Sequence, residues 1–276
     1  MDLDGVAADA ELASPERGVV AIELQVDEAT QDRPLVVVDT GVQLEQLAAV
    51  RKAQAETKRI YSVLIERHES KSTHKAGELV KAGAIGKVIQ TLALAPHRMN
   101  PATRPAWFFE RPRYGGILCD LASHHLDQFL FFTGSTCAEI VAAQVGNVNH
   151  PQYPGLEDFG DVMLRGDGGA GYVRVDWFTP DGLSTWGDGR LTILGTDGFI
   201  EIRKNVDIAG RPGPSHLFIV DQKQTRYVDS SAVTLPYGEQ IVSDVLNRTE
   251  TAMSQAHCYL ATELMLKAQK QAQRVG

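Results

Sequence analysis

The sequence predicts a chain that begins as α/β and continues as α+β: a partial Rossmann-like region followed by an open antiparallel sheet with helices on one face. Three observations predict it. Before Gly86, β-branched apolar runs alternate with helical periodicity. Beyond Gly86, short strand-like runs follow one another with only turn-like separators (GDGG, TPDG, GTDG) between them. Between the two regimes lies Tyr114 to Gly134 (YGGILCDLASHHLDQFLFFTG), an apolar stretch opened by a Gly pair and closed by a Gly suited to a helix C-terminus.

In chain order, Gly18 to Val26 and Pro34 to Asp39 read as strands, the second apolar throughout as in a sheet covered on both faces. Gln43 to Thr57 reads as a helix, Arg59 to Ile65 as a third strand and Thr73 to Ala82 as a second helix. The boundary falls near Gly83 to Gly86, giving a reduced Rossmann-like region over 1–84 and a second domain over 85–276. In the latter, Lys87 to His97, Glu139 to Val148, Phe159 to Arg165, Ala170 to Phe178, Arg190 to Leu194, Phe199 to Lys204, Leu217 to Asp221 and Thr225 to Val228 read as strands. Short connections favour antiparallel pairing. Helices over Tyr237 to Asn247 and about Met253 to Gln273 close the chain. A broad sheet layered on one side leaves a face to cover, which predicts a homo-oligomer.

Composition bounds the function. The 276 residues carry 43% hydrophobic and 22% charged side chains and a net charge of −8, as in a soluble globular protein that avoids nucleic acid and anionic membranes. Three scattered cysteines, Cys119, Cys137 and Cys258, fit free thiols in a reducing cytoplasm. The acidic N-terminus has no signal-peptide pattern, no apolar run is long enough to span a membrane, and no His/Cys/Asp/Glu set has metal-ligand spacing.

Candidate chemistry sits on the Tyr114 to Gly134 stretch. At 100° per residue, Asp120, Ser123, His124, Asp127 and Gln128 share one arc, and Leu118, Leu121, Ala122, Phe129 and Phe132 share the other. Asp120 and His124 are four apart, so their side chains can meet. A carboxylate there would orient the imidazole and raise its pKa toward neutrality, as suits a general acid/base; an inert buried hydrogen bond is the alternative. His125 falls on the apolar arc and reads as packing. Arg98 and Trp107, in a loop rich in Pro, Arg and aromatics, suit a polyol, with rings over C–H faces and polar groups to hydroxyls. One of Trp177 and Trp186 could cover such a site. His257 reads as a surface or packing residue.

Five segments in order, AGAIGKV, GGILCDLASHHLD, DFGDVMLRGDGGAGYVRVDW, ILGTDGFIEI and PYGEQIVSDVL, resemble the Gfo/Idh/MocA family of NAD(P)-dependent sugar and cyclitol oxidoreductases. The resemblance runs from about Pro34 to the C-terminus. It implies NAD or NADP as cofactor, a sugar or polyol as substrate, and subunits joined through the open sheet. It also implies that His124 exchanges a proton with the substrate hydroxyl while Asp120 orients substrate or imidazole; Asp127, on the same polar arc, is a candidate for binding the substrate. The family's Glu-Lys-Pro segment corresponds to Asp39-Thr40-Gly41, which makes Asp39 and Thr40 the cofactor-side positions but leaves a hydroxyl where a cation would meet a developing alkoxide. No GxGxxG follows an early strand. The sequence thus supports two readings: a hydride-transferring oxidoreductase, or a catalytically silent paralogue serving as carbohydrate-binding or scaffold subunit.

Overall fold

The computed structural model describes residues 43–63 and 65–275. The expected strands Gly18 to Val26 and Pro34 to Asp39, together with Asp39 and Thr40, lie outside them.

Helices α1 (Leu44–Thr57), α2 (Glu66–Glu69) and α3 (Lys71–Lys81) lead into strand β1 (Val88–Pro96). A short helix α4 (Arg111–Tyr114) precedes Gly115 and Gly116, at φ 84° and 100°. Only glycine holds two successive backbone positions there without steric cost. They turn the chain into a π-helical segment, Leu118–Ala122, continuous with α5 (Ser123–Thr133), which Gly134 ends at φ 67°. Eight strands follow with one long interruption: β2 (Ala138–Gly146), β3 (Phe159–Gly166), β4 (Ala170–Asp176), β5 (Arg190–Gly195), β6 (Gly198–Arg203), β7 (His216–Asp221), β8 (Thr225–Val228) and, after α6 (Tyr237–Asn247) and α7 (Gln255–Gln271), the two-residue β9 (Gln273–Arg274).

All nine strands form one sheet in the order β8-β7-β6-β5-β1-β4-β3-β2-β9. It is antiparallel except that β1 runs parallel to β4, and β2 to β9. Sequence spacing missed this because β1 enters the sheet's middle between strands that come much later in the chain. The inner face carries Ala93, Val162, Leu164, Val173, Leu191, Ile193, Ile200, Leu217 and Ile219, all buried under the helices. The register puts Leu92 opposite Tyr172, Tyr172 opposite Met163, and Leu194 opposite Phe199. These are outer-face positions, and Leu92, Met163, Leu194 and Phe199 are exposed. Period-two alternation has therefore made one covered face and one bare face of mixed polarity.

The expected third strand, Arg59 to Ile65, joins no sheet among the described residues. Its backbone is satisfied differently: Gln255 accepts from the Tyr61 N–H (2.8 Å) and donates to the Tyr61 carbonyl (2.6 Å). Helix α1 packs on α7 through Leu47 and the Arg51–Glu263 ion pair (2.7 Å).

Candidate active site

The helical run from Ile117 to Leu130 is buried except at Cys119, Asp120, Ser123 and His124. Spacing of one, three and one residues places these four half-buried positions on one side of the helix. The wheel found that face, but not the pairing. Asp120 and His124 share no hydrogen bond; Asp120 Oδ2 is buried without a partner. The reason is the π segment. Each turn with an extra residue advances the helix phase by about 100° relative to a regular wheel, so Asp120 turns toward Arg104 while His124 turns toward α2.

The electrostatics follow. Burial pushes the Asp120 carboxyl up to about 6, against the pull of Arg104. Burial holds the His124 imidazole down to about 4, despite the favourable charge of Glu66. The expectation that a neighbouring carboxylate lifts His124 toward neutrality is therefore corrected: desolvation of the ring outweighs any anion beside it. The His124 Nδ1 instead accepts the backbone N–H of Glu66 at 3.3 Å.

Around this pair the fold assembles groups from distant segments. His97 follows β1 and donates from Nδ1 to the Ala95 carbonyl (3.1 Å); burial holds it down to about 3. Its ring lies 5.5 Å from Trp177 and 4.5 Å from Trp186. Lys204, just past β6, places Nζ 4.7 Å from the Trp186 ring and 2.7 Å from Glu66 Oε2. Burial alone would raise Glu66, but His125 and Lys204 overcome it and hold it at about 2. Arg104 spans the Phe108 and Trp177 rings at 4.6 and 4.9 Å. Neutral imidazoles, one protonatable carboxyl, aromatic faces, the Arg104 guanidinium and an internally paired ammonium suit a polyhydroxy ligand.

The other anticipated residues take different places. Arg98 anchors the loop after β4, its guanidinium donating to the carbonyls of Pro180 (2.9 Å) and Leu183 (2.6 Å). It thereby positions Trp186 rather than reaching into the cleft. Trp107 is half-buried against Phe108, at 6.3 Å between rings; the indoles beside His97 are Trp177 and Trp186. Asp127 has no exposed side-chain surface, and both oxygens are taken, by Arg67 (2.8 and 3.2 Å) and by His257 Nε2 (2.6 Å). Burial would raise its pKa, but those bonds hold it below the usual carboxylate range. With its lone pairs satisfied it ties α2, α5 and α7 together and leaves nothing for a substrate. His257 belongs to this buried network. Glu66, Arg104 and Lys204 were not singled out from sequence. No local motif marks them, since only the sheet order and the turn at α2 bring them to the helix.

These groups set an acid limit on stability. His68, also held down to about 3 by burial, joins His97 and His124 in staying neutral when folded. Unfolded, each gains a proton below about 6.5, so their stabilisation is complete above that pH and is lost as pH falls toward 4 and 3. Asp120 runs the other way: it is protonated in the folded chain below about 6 and partly offsets the loss. Near pH 5 the four groups bind about two more protons unfolded than folded, a slope of up to about 3 kcal/mol per pH unit. Urea midpoints measured between pH 7 and 4.5 should fall steadily below 6.5; a flat profile would show the rings to be solvated.

Among the described residues, no helix is long and apolar enough to cross a membrane. They also contain no strand–glycine turn–helix unit of the kind that cradles a pyrophosphate, so none of them is assigned to a dinucleotide.

The family profile described as the GFO/IDH/MocA C-terminal domain matches residues 73–201. No curated protein matches the chain. Among solved structures, a protein of Erwinia carotovora atroseptica SCRI1043 classed as an oxidoreductase is 48% identical, with a TM-score of 0.82 over 85% of this chain and 71% of its own. An oxidoreductase from Agrobacterium radiobacter in complex with NAD+, L-tartaric acid and magnesium has a TM-score of 0.67 at 19% identity, covering 83% of this chain and 68% of its own. The aldose-aldose oxidoreductase of Caulobacter crescentus, complexed with glycerol, has a TM-score of 0.62 at 16% identity, covering 83% and 67%. The last two likenesses speak to the fold, whereas the first, with the profile, speaks to descent: this chain belongs to the Gfo/Idh/MocA family of oxidoreductases.

Proposed function

We propose that the protein is an NAD(P)-dependent oxidoreductase that transfers hydride between the nicotinamide and a hydroxyl carbon of a sugar or cyclitol, with Asp120 and His124 at the reacting oxygen. The observation that carries this is the buried Asp120 carboxyl oxygen without a partner, on the same half-buried stretch of the helical run as His124. An unmatched polar atom at such a point calls for a ligand hydroxyl. Family membership supplies the reaction class, and the NAD+, tartrate and glycerol of the two more distant structures agree with a nicotinamide and a polyhydroxy ligand. In this reading residues 1–84 are the reduced Rossmann-like region and 85–276 the substrate and oligomerisation domain. The exposed Leu92, Met163, Leu194 and Phe199 of the outer sheet face support pairing with a second copy.

A second reading is favoured by one observation, Asp39-Thr40-Gly41 in place of Glu-Lys-Pro: a catalytically silent paralogue acting as a carbohydrate-binding or scaffold subunit. Titration of the purified chain with NADH and NADPH, read by fluorescence and by thermal shift, separates the two. Saturable binding that raises Tm, followed by polyol-dependent turnover, supports the enzyme. Absence of binding at millimolar cofactor overturns it in favour of the silent subunit.

A further inference from the structure

Arg104 differs from the other cations around the site. Lys204 is committed to Glu66 at 2.7 Å, Arg67 to Asp127 at 2.8 Å and Arg111 to Glu157 at 3.1 Å. Arg98 is committed to the carbonyls of Pro180 and Leu183. The Arg104 guanidinium is half-buried and rests against two rings, 4.6 Å from the Phe108 centroid and 4.9 Å from the Trp177 centroid. Its Nε donates to the Met99 carbonyl at 3.2 Å, which fastens the loop. Arginine carries five N–H donors, and those on the η nitrogens of Arg104 have no hydrogen-bond partner among the described residues and stay open to solvent. Asp120 is the carboxyl that feels the Arg104 charge, but the two form no ion pair, and Asp120 Oδ2 is left without a partner. Burial lowers the Arg104 pKa, yet a guanidinium stays protonated in a protein. A charge is thus held part way out of water without its counter-ion, a cost that a ligand anion would offset.

We infer, on the oxidoreductase reading above, that Arg104 is a specificity-determining residue that holds a carboxylate of the substrate, so that the protein takes sugar acids, aldonates or uronates, in preference to neutral sugars and polyols. The carboxylate accepts from the η N–H groups in the plane of the guanidinium, the fork geometry that arginine offers and lysine does not. The two rings hold that fork in place before a ligand arrives, which lowers the ordering cost of binding. Trp177 stands between the fork and His97, whose ring is 5.5 Å from the indole. The span from guanidinium to imidazole is therefore one indole wide, and the hydroxyl-bearing carbons of a sugar-sized acid cover it with their C–H faces on the ring. One guanidinium matches one negative charge. A phosphate, with nearly two, would place the excess beside the Asp120 carboxyl, so the site fits a carboxylate better.

The test is calorimetric titration of the purified full chain, without cofactor, at one ionic strength. D-gluconate is paired with D-glucitol, D-glucuronate with D-glucose and D-galacturonate with D-galactose; D-glucose 6-phosphate supplies the phosphate arm. At least one acid should bind about 10-fold or more tighter than its neutral counterpart. Arg104→Gln should bring that ratio to about one, and Arg104→Lys, which keeps the charge but not the fork, should retain only part of it. Equal affinities within every pair, no acid binding at millimolar concentrations, or a preference that survives in Arg104→Gln overturns the inference. Tighter binding of the phosphate than of every acid overturns the choice of carboxylate. The wild-type comparison needs no variant, so it decides the matter even where substitution at 104 loosens the loop. Failure here is distinct from failure of the oxidoreductase reading: an acid preference without NADH or NADPH binding would sink that reading and keep the anion site, and cofactor binding without an acid preference would do the reverse.

Discussion

Glu157→Ala should destabilise the protein by about 3–5 kcal/mol and lower Tm by roughly 10 °C. The Glu157 side chain is buried, and it caps the start of the helical run that carries the cleft. Its Oε2 accepts from the Ile117 N–H (3.0 Å) and from Gln269 Nε2 (3.0 Å), and its Oε1 accepts from Arg111 Nε (3.1 Å). Gln269 completes the cap by accepting the Leu118 N–H at 2.9 Å. A helix N-terminus exposes unpaired N–H groups and a positive dipole end, and here both are met by a buried carboxylate rather than by water. Truncation strands the Ile117 N–H, the Gln269 side-chain N–H and the Arg111 guanidinium together. Gly116 belongs to the same device. Its φ is 100°, and a Cβ there would lie 2.4 Å from Gln269 Oε1 and 2.7 Å from Glu157 Oε2, so side chains at 116 would push the cap apart. Chemical denaturation of Glu157→Ala and Glu157→Gln checks the account. Gln keeps one acceptor but turns an amide N–H₂ toward donors, so it should lie between wild type and Ala. A loss below about 1 kcal/mol in Glu157→Ala would mean that water replaces the carboxylate and that the cap is not a buried one.

Asp127→Ala is expected to cost a similar amount, about 3–5 kcal/mol, because it leaves the Arg67 guanidinium without its partner in the interior. The Arg67 side chain is 13% exposed in this pair and Asp127 is 0% exposed, so solvent screening offers little relief. Removing His257 alone should be milder, about 1–2 kcal/mol, since Asp127 keeps Arg67. The double variant Arg67→Ala/Asp127→Ala should be less destabilised than the sum of the two singles, because it deletes both charges at once. The effect also reaches the cleft. Arg67 fixes the turn that presents the Glu66 N–H to His124, so the His124 nitrogen signals should change in Asp127→Ala although the two side chains are not bonded. Additive singles, or an unchanged His124 signal, would separate this network from the site.

The sequence by itself determined the elements and their faces. Short strand-like runs between turn-like separators marked the eight longer strands within a residue or two, and helical periodicity with Gly115, Gly116 and Gly134 bounded the central helix. These signals are local, because side-chain direction follows from the backbone repeat. They were enough to locate the polar stripe with Asp120 and His124, and the ordered motifs were enough to name the family. Three things were decided only by the tertiary structure. The sheet order inserts β1 beside β4 in parallel, and so brings Lys204 and Trp186 toward a helix far from them in the chain. The π segment breaks the regular phase, so that two residues four apart in sequence part company, one to Arg104 and the other to α2. Finally, burial sets the protonation of the site: it lowers His124, raises Asp120, and commits Asp127 to Arg67 and His257. Desolvation and long-range charge depend on what packs around a group, which residue type and spacing do not encode.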